Sequence, residues 1–435
     1  MIMVLDPRWR VLFWLFFISS PLGSSGSSPA GPLQDAAWYG HTKKVKQLLR
    51  SDKIDVNSVD KPTGSLPLFA AAQRGHSEVV RLLLDDERVD VNKRPVHSGW
   101  CPLDVAADNG HVEVVKMLLG ADKIDVNMAD DGYGMFPLFR AADKGHVGVV
   151  KALLNAEKID VNKATRPGDT SLRVAAQRGH SAVTKILVAA PKIKVNQAEN
   201  VKGEFPLNDA ARTGNTVVVK ALLAADEIDV NQAAKTGAFP LLVAAMAGHT
   251  KVVKALLAAD KIDVNKADDT SDGNGEFPLY MAAMAGHIKV VKALLSADEI
   301  DTKKVTKAGV SALLTAIAMN HSDVAEVLLA AGKVGTKKEA EKTTASPPLT
   351  GATALEHPEV MQAVLKAGEA MNLIKKKPAD ADASAGKRSS ESVDARHQAE
   401  VPLNDSKVEE HMHEGFEKGG EYVLRAHPGG AHVDL

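Results

Sequence analysis

Residues 65–92 read S-L-P-L-F-A-A-A-Q-R-G-H-S-E-V-V-R-L-L-L-D-D-E-R-V-D-V-N. Their skeleton, P-L-x-x-A-A-x-x-G-H-x-x-V-V-x-x-L-L followed by I/V-D-V-N, returns along most of the chain. Its Gly-His pair stands at Gly40-His41, Gly75-His76, Gly110-His111, Gly145-His146, Gly179-His180, Gly248-His249 and Gly286-His287. Gly214-Asn215 and Asn320-His321 are variants, and Glu356-His357 is a decayed last copy. The copies lie 34 to 36 residues apart, except for 38 between Gly248 and Gly286. Ten copies in register predict a stack of identical supersecondary units.

The unit has a physical logic. Pro67 can open a helix, because its missing N–H falls among the unpaired donors of the first turn. Leu68, Ala71 and Ala72 share one helical face, and paired alanines let a neighbouring helix approach closely. Gly75 supplies a turn that a Cβ would resist. Val79, Val80, Leu82 and Leu83 then form a second apolar face at helical spacing. Val89-Asp90-Val91-Asn92 leaves the helix as an extended segment. Such a helix pair can bury its outer faces only against the next copy, so the predicted fold class is all-α, a solenoid of about ten helix–turn–helix repeats with short finger loops.

The P-L, A-A, G-H, V-V, L-L and D-V-N positions, over residues 29–372, resemble those of the ankyrin-repeat family. The sequence departs from that family's T-P-L-H opening. Leu66, Cys101, Phe136, Phe205, Phe239 and Phe277 stand at the Thr position, and only Thr170 keeps it. Phe69, Asp104, Phe139, Arg173, Asn208, Leu242 and Tyr280 stand where the His would be. Apolar packing is expected to replace the hydrogen bonds of those side chains. The function the resemblance implies is non-catalytic: a scaffold or adaptor that binds another protein or peptide through a preformed concave groove, which spares most of the ordering cost of binding.

Composition agrees with a thinly layered solenoid. The chain of 435 residues is 45% hydrophobic but only 4% aromatic, as expected where Ala, Val and Leu fill narrow interfaces. A net charge of −2 argues against a dedicated nucleic-acid binder. Cys101 is the only cysteine, which rules out an intrachain disulfide. The chain reads as a monomer without a membrane span.

Three segments follow. Residues 1–28 carry Arg8 and Arg10 ahead of an apolar run, Val11 to Ile18, and then Ser/Gly/Pro-rich sequence, the layout of a secretory signal. That run is too short to span a bilayer. The same stretch also reads as an upstream extension of an intracellular protein, which leaves localisation open between cytoplasmic and secreted. An effector directed to the secretory route, with usable sequons at Asn320-His321-Ser322 and Asn404-Asp405-Ser406, is the alternative function. Residues 29–372 are the array, its first copy a cap with Lys44-Val45 in place of Val-Val, its last copy at 340–372 the other cap. Residues 373–435 turn to Ala, Ser, Asp, Glu and Gly and read as a disordered polar tail.

Candidate chemistry is sparse. Equivalent histidines on stacked helices are expected ~8–10 Å apart, too far to share a zinc ion whose ligand nitrogens lie within ~2.1 Å. They read as turn structure. His411, His413, His427 and His432 in the tail lack a third spaced ligand. Asp268, Thr270, Asp272 and Gly273 echo the start of a calcium loop, but Leu279 stands where the bidentate Glu belongs. No phosphate-binding or hydrolase motif occurs, so neither an enzyme, a metal nor a cofactor is expected. The asparagines Asn57, Asn92, Asn127, Asn162, Asn196, Asn231 and Asn265 read as braces of the finger loops; the family resemblance adds that such residues can be substrates of an asparaginyl hydroxylase.

A change of surface chemistry suggests where a partner binds. The two residues before the Gly are polar in repeats 2 to 6: Gln73-Arg74, Asp108-Asn109, Asp143-Lys144, Gln177-Arg178 and Arg212-Thr213. In repeats 7 to 9 they become Met246-Ala247, Met284-Ala285 and Ala318-Met319. Leu242, Tyr280, Met281 and Leu314 join them. The candidate partner-binding set is therefore Leu242, Met246, Tyr280, Met281, Met284, Leu314 and Met319, with the three methionines expected in a stripe ~20 Å long at ~8–10 Å per helix. The competing reading is core packing in drifting repeats. A column of basic residues, Arg81, Lys116, Lys151, Lys185, Lys220, Lys254 and Lys292, marks the second helices and reads as a solvated face, with binding of an acidic partner as the alternative.

Overall fold

The computed structural model describes residues 31–333, apart from 61–63, 96–98 and 272. Nine helix pairs succeed one another within it: Pro32–Trp38 with Thr42–Leu49, Pro67–Arg74 with Ser77–Leu84, Pro102–Asp108 with Val112–Leu119, Pro137–Lys144 with Val147–Leu154, Ser171–Arg178 with Ser181–Val188, Pro206–Arg212 with Thr216–Leu223, Pro240–Met246 with Thr250–Leu257, Pro278–Met284 with Ile288–Leu295, and Ala312–Ala318 with Ser322–Lys333. These are repeats 1 to 9. The expected signal, the tenth repeat and the tail lie outside the described residues.

Each first helix packs on its own second helix and, in repeats 2 to 8, on the first helices of both neighbours, and second helices pack on second helices. The alanine pairs make this close approach: Ala71, Ala72, Ala106, Ala107, Ala141 and Ala142 have no solvent exposure. Val79, Val80 and Leu83, with their equivalents in repeats 3 to 9, close the other side of the core, while repeat 1 contributes only Val45 fully and exposes Lys44. Among the described residues there is no strand, only two isolated antiparallel bridges at finger bases, Ala164–Thr170 and Val305–Ser311.

The altered opening tetrapeptide behaves in two ways. Phe136, Phe205, Phe239 and Phe277 precede their helices in extended conformation, cap nothing with their side chains, and are fully buried. A lost N-cap bond costs ~1 kcal/mol, whereas burying such a side chain contributes ~1.5–3 kcal/mol, so the apolar substitution wins. Repeat 3 departs from that expectation. Cys101 Sγ accepts from the Asp104 N–H, and Asp104 Oδ2 accepts from the Cys101 N–H at 3.1 Å, a capping box rebuilt from different residues. Thr170 and Ser311 cap in the ordinary way.

Neighbouring repeats are joined by polar bonds as well as by packing. The ring Nε2 of His76 donates to the Trp38 carbonyl at 3.0 Å, and His111, His146, His180, His249, His287 and His321 do the same one repeat further on. The histidines therefore bond between repeats, not within the turn they follow. On the finger side, Asn57 Nδ2 donates to the Arg88 carbonyl while its Oδ1 accepts from the Asp90 N–H. The same two bonds recur at Asn92, Asn127, Asn162, Asn196, Asn231 and Asn265. Both amide groups are thereby spent on bracing the next loop.

Candidate partner-binding surface

Register along the first helix decides what a ligand can reach. The third and fourth residues after the N-cap take turns at the boundary between stack and surface. In repeats 3 to 6 these positions hold charge. Asp104 lies at the third position of repeat 3 and Arg140 at the fourth of repeat 4, facing each other at 3.5 Å with almost no exposure. Asp130, at the base of the finger before repeat 4, accepts from Arg140 Nη2 at 2.6 Å, and the Trp100 ring covers the guanidinium at 3.5 Å. Arg173 and Asp209 repeat the arrangement between repeats 5 and 6 at 2.8 Å, with Asp169 on Arg173 and Glu204 on Arg212. Burial pushes the Asp104 carboxyl up to about 6, against the pull of Arg140 and of the cap bonds to Cys101. Asp209 is pushed to about 6 by the same desolvation, opposed by Arg173 and Arg212.

Sequence reading missed these pairs. A signal for them exists: a charge at the third position of one copy with its opposite at the fourth position of the next, 36 residues apart in both cases. Their consequence for binding is that the charges of repeats 3 to 6 are largely consumed by one another. Further out, Arg178 pairs with Asp143 at 2.8 Å in the same self-contained manner.

Among the described residues, repeats 7 to 9 have no such pairs. Leu242 and Met281 are buried within the stack at 6% and 1% exposure, so they support the surface from beneath and are not available to touch a ligand. Met246, Tyr280 and Met284 are half-buried and rest on the core, with Tyr280 tilted against Phe277 at 5.8 Å between ring centres. Leu314 and Met319 are also half-buried. The stripe expected of three equivalent methionines is shorter than the sequence suggested. Met246 and Met284 share one register, two residues before the glycine, and each offers its carbonyl to the next histidine. Met319 stands one residue later, at the end of its helix, where the earlier copies have Ala247 and Ala285. Ala318 holds the true equivalent position. The half-exposed apolar surface therefore comprises Met246, Tyr280, Met284, Leu314 and Met319.

Other candidates resolve into structure. Cys101 is buried, and desolvation beside Asp104 raises its thiol well above the usual range, which removes nucleophilic character. Asp268 turns its carboxylate onto Thr270, accepting from both the N–H at 2.9 Å and the hydroxyl at 2.7 Å. The Lys307 ammonium donates to the Thr270 and Gly273 carbonyls, so a lysine already occupies the cationic position in that loop. Among the described residues no cluster of His, Cys, Asp or Glu could hold a metal ion, and no helix is long and apolar enough to cross a membrane.

A family model described as ankyrin repeats (3 copies) matches residues 33–130, 123–199, 172–268 and 263–342. Among solved structures, the crystal structure of EF0377, an ankyrin repeat protein, is 28% identical and covers 45% of this chain and 98% of its own, with a TM-score of 0.42. No curated protein matches the sequence.

Proposed function

Given that the chain belongs to the ankyrin-repeat family, whose arrays are generally protein-binding scaffolds and typically non-catalytic, we propose that it binds a partner protein through the first-helix face of repeats 7 to 9. The observation that supports this most is the switch in surface chemistry. Repeats 3 to 6 pair their charges internally, while Met246, Tyr280, Met284, Leu314 and Met319 leave half-buried apolar surface with no covering element among the described residues. Methionine adapts to irregular apolar shapes, which suits an amphipathic helix or an extended peptide with apolar side chains.

Photo-crosslinking tests the assignment. Tyr280 is replaced by p-benzoylphenylalanine in one preparation and Lys144, on the polar part of the same face, in another. Irradiation in cell extract is expected to give one discrete crosslinked species from position 280 and none from position 144. Equal crosslinking at both positions, or crosslinking at 144 alone, contradicts it.

A further inference from the structure

The second helices carry a feature that the first-helix face does not explain. In repeats 2 and 3 the basic residue of the column is paired on its own helix: Arg81 with Glu78 at 2.5 Å and Asp85 at 3.2 Å, and Lys116 with Glu113 at 2.8 Å. From repeat 4 onward the acids vanish. The second helices of repeats 4 to 8 contain no Asp or Glu at all. Their column residues, Lys151, Lys185, Lys220, Lys254 and Lys292, are all exposed and form no side-chain ion pair or hydrogen bond among the described residues. Lys251 and Lys289 stand where Glu78 and Glu113 stood and double the positive charge in repeats 7 and 8. The run stops at repeat 9, whose helix brings Asp323 and Glu326.

Within this run the surface between repeats 5 and 6 is indented. An open, shallow cleft of about 780 Å³ is lined by Val188, Val217, Ala221 and Ala224, with Lys185, Lys192 and Lys220 and the two acids Asp226 and Glu227 among its walls. Val217 is 51% exposed, one of few large apolar side chains so open to water. It takes the position that is charged in repeats 2, 3, 7 and 8. Exposed acids, among them Glu157, Asp226, Glu227, Asp260 and Glu299, follow the helices in the loops and flank the lysines.

We propose that this strip docks an acidic polypeptide segment running along the stack, with one apolar side chain of the segment seated in the cleft between repeats 5 and 6. Stacked helices place successive column lysines ~8–10 Å apart, and an extended chain advances ~10 Å in three residues. A segment with a carboxylate at every third residue therefore meets one lysine per repeat. The flanking acids favour a ligand one chain wide. A flat anionic membrane would press on Glu157, Asp226 and Glu227 as closely as on the lysines and be repelled by them. The cleft supplies an apolar anchor point that a phosphate backbone has no means to use.

Fluorescence anisotropy on the full chain tests this, with a labelled synthetic peptide carrying Glu at every third position and one central Leu. Binding is expected at low ionic strength and is expected to weaken with salt. The double variant K185E/K220E and the single variant V217D are each expected to weaken it at least ~tenfold. K116E, whose lysine is already paired within repeat 3, is expected to leave it unchanged, as is M246E/M284E on the other face. Melting temperatures of all variants close to that of the parent establish that folding is intact. The proposal is overturned if the parent does not bind the peptide, or if K116E weakens binding as much as K185E/K220E. Phosphatidylserine vesicles or single-stranded DNA binding in preference to the peptide would overturn it as well.

Discussion

At the scale of single residues, the glycine before each histidine shows how tightly one copy constrains the next. Gly145 has φ +75°, and a Cβ there would lie 2.7 Å from Nδ1 of His180. Two requirements thus coincide: a left-handed backbone, and room for the ring that donates to the Asp143 carbonyl. Asn320 meets the first requirement without glycine, with φ 58°, asparagine being among the side chains that tolerate this region. Gly145→Val is expected to destabilise by about 1–3 kcal/mol through backbone strain, with further loss as His180 is displaced. Chemical denaturation with the parent as reference measures it, and an unchanged midpoint would contradict the double role of this position. The sequence made the glycine's turn legible at once. It did not reveal the destination of the histidine, because the acceptor is a carbonyl 37 residues upstream and a backbone atom leaves no trace in residue identity.

Among elements, the first helices divide into two groups that the repeat pattern alone hides. Repeats 3 to 6 bury ion pairs; repeats 7 and 8 bury Leu242, Val243 and Met281 at the same register, and repeat 9 buries Thr315 there. Buried pairs of this kind hold their charges at a desolvation cost that can exceed the attraction, and the raised carboxyls of Asp104 and Asp209 express that cost. The sign of the pH effect follows. Each group rises from 3.8 to about 6 on folding. Between those values the folded state binds more protons than the unfolded one, so their contribution to stability grows as pH falls from 7 toward 4 and is lost as pH rises through 6. From pH 7 to 5 the gain is about 1 kcal/mol per group, one pKa unit being worth ~1.4 kcal/mol. D104N is expected to remove about that much from the difference in unfolding free energy between the two pH values. A variant whose pH dependence overlays the parent's would show that Asp104 ionises normally. Periodicity could not expose these pairs, because charge at a core register reads as surface until the copies are aligned against one another. The burial of Leu242 and Met281, and the one-residue offset of Met319, are hidden for a similar reason: apolar character alone does not say which side of the helix a register faces.

The molecule as a whole is a row of nearest-neighbour interfaces among its described residues, and its stability should approximate a sum of repeat and interface terms. Period, helix pairing and the identity of the core were all legible in the recurring skeleton, since each copy repeats the same experiment on the same constraint. Partner preference was legible only where copies differ. Two faces differ in opposite ways: apolar on the first helices of repeats 7 to 9, cationic on the second helices of repeats 4 to 8. The expectation that residues 1–28 direct export concerns residues outside the described ones and has no bearing on either face. Met246 and Met284 are proposed to serve binding and not the core, and the double variant M246E/M284E separates the two roles. Thermal unfolding and partner capture are measured on the same preparation. A melting temperature near that of the parent is expected, because both side chains are half-exposed and their carbonyls still accept from His287 and His321, together with loss of the species crosslinked through position 280. A variant that melts far earlier would show that the methionines belong to the core, and one that stays folded and still captures the partner would place the binding face elsewhere.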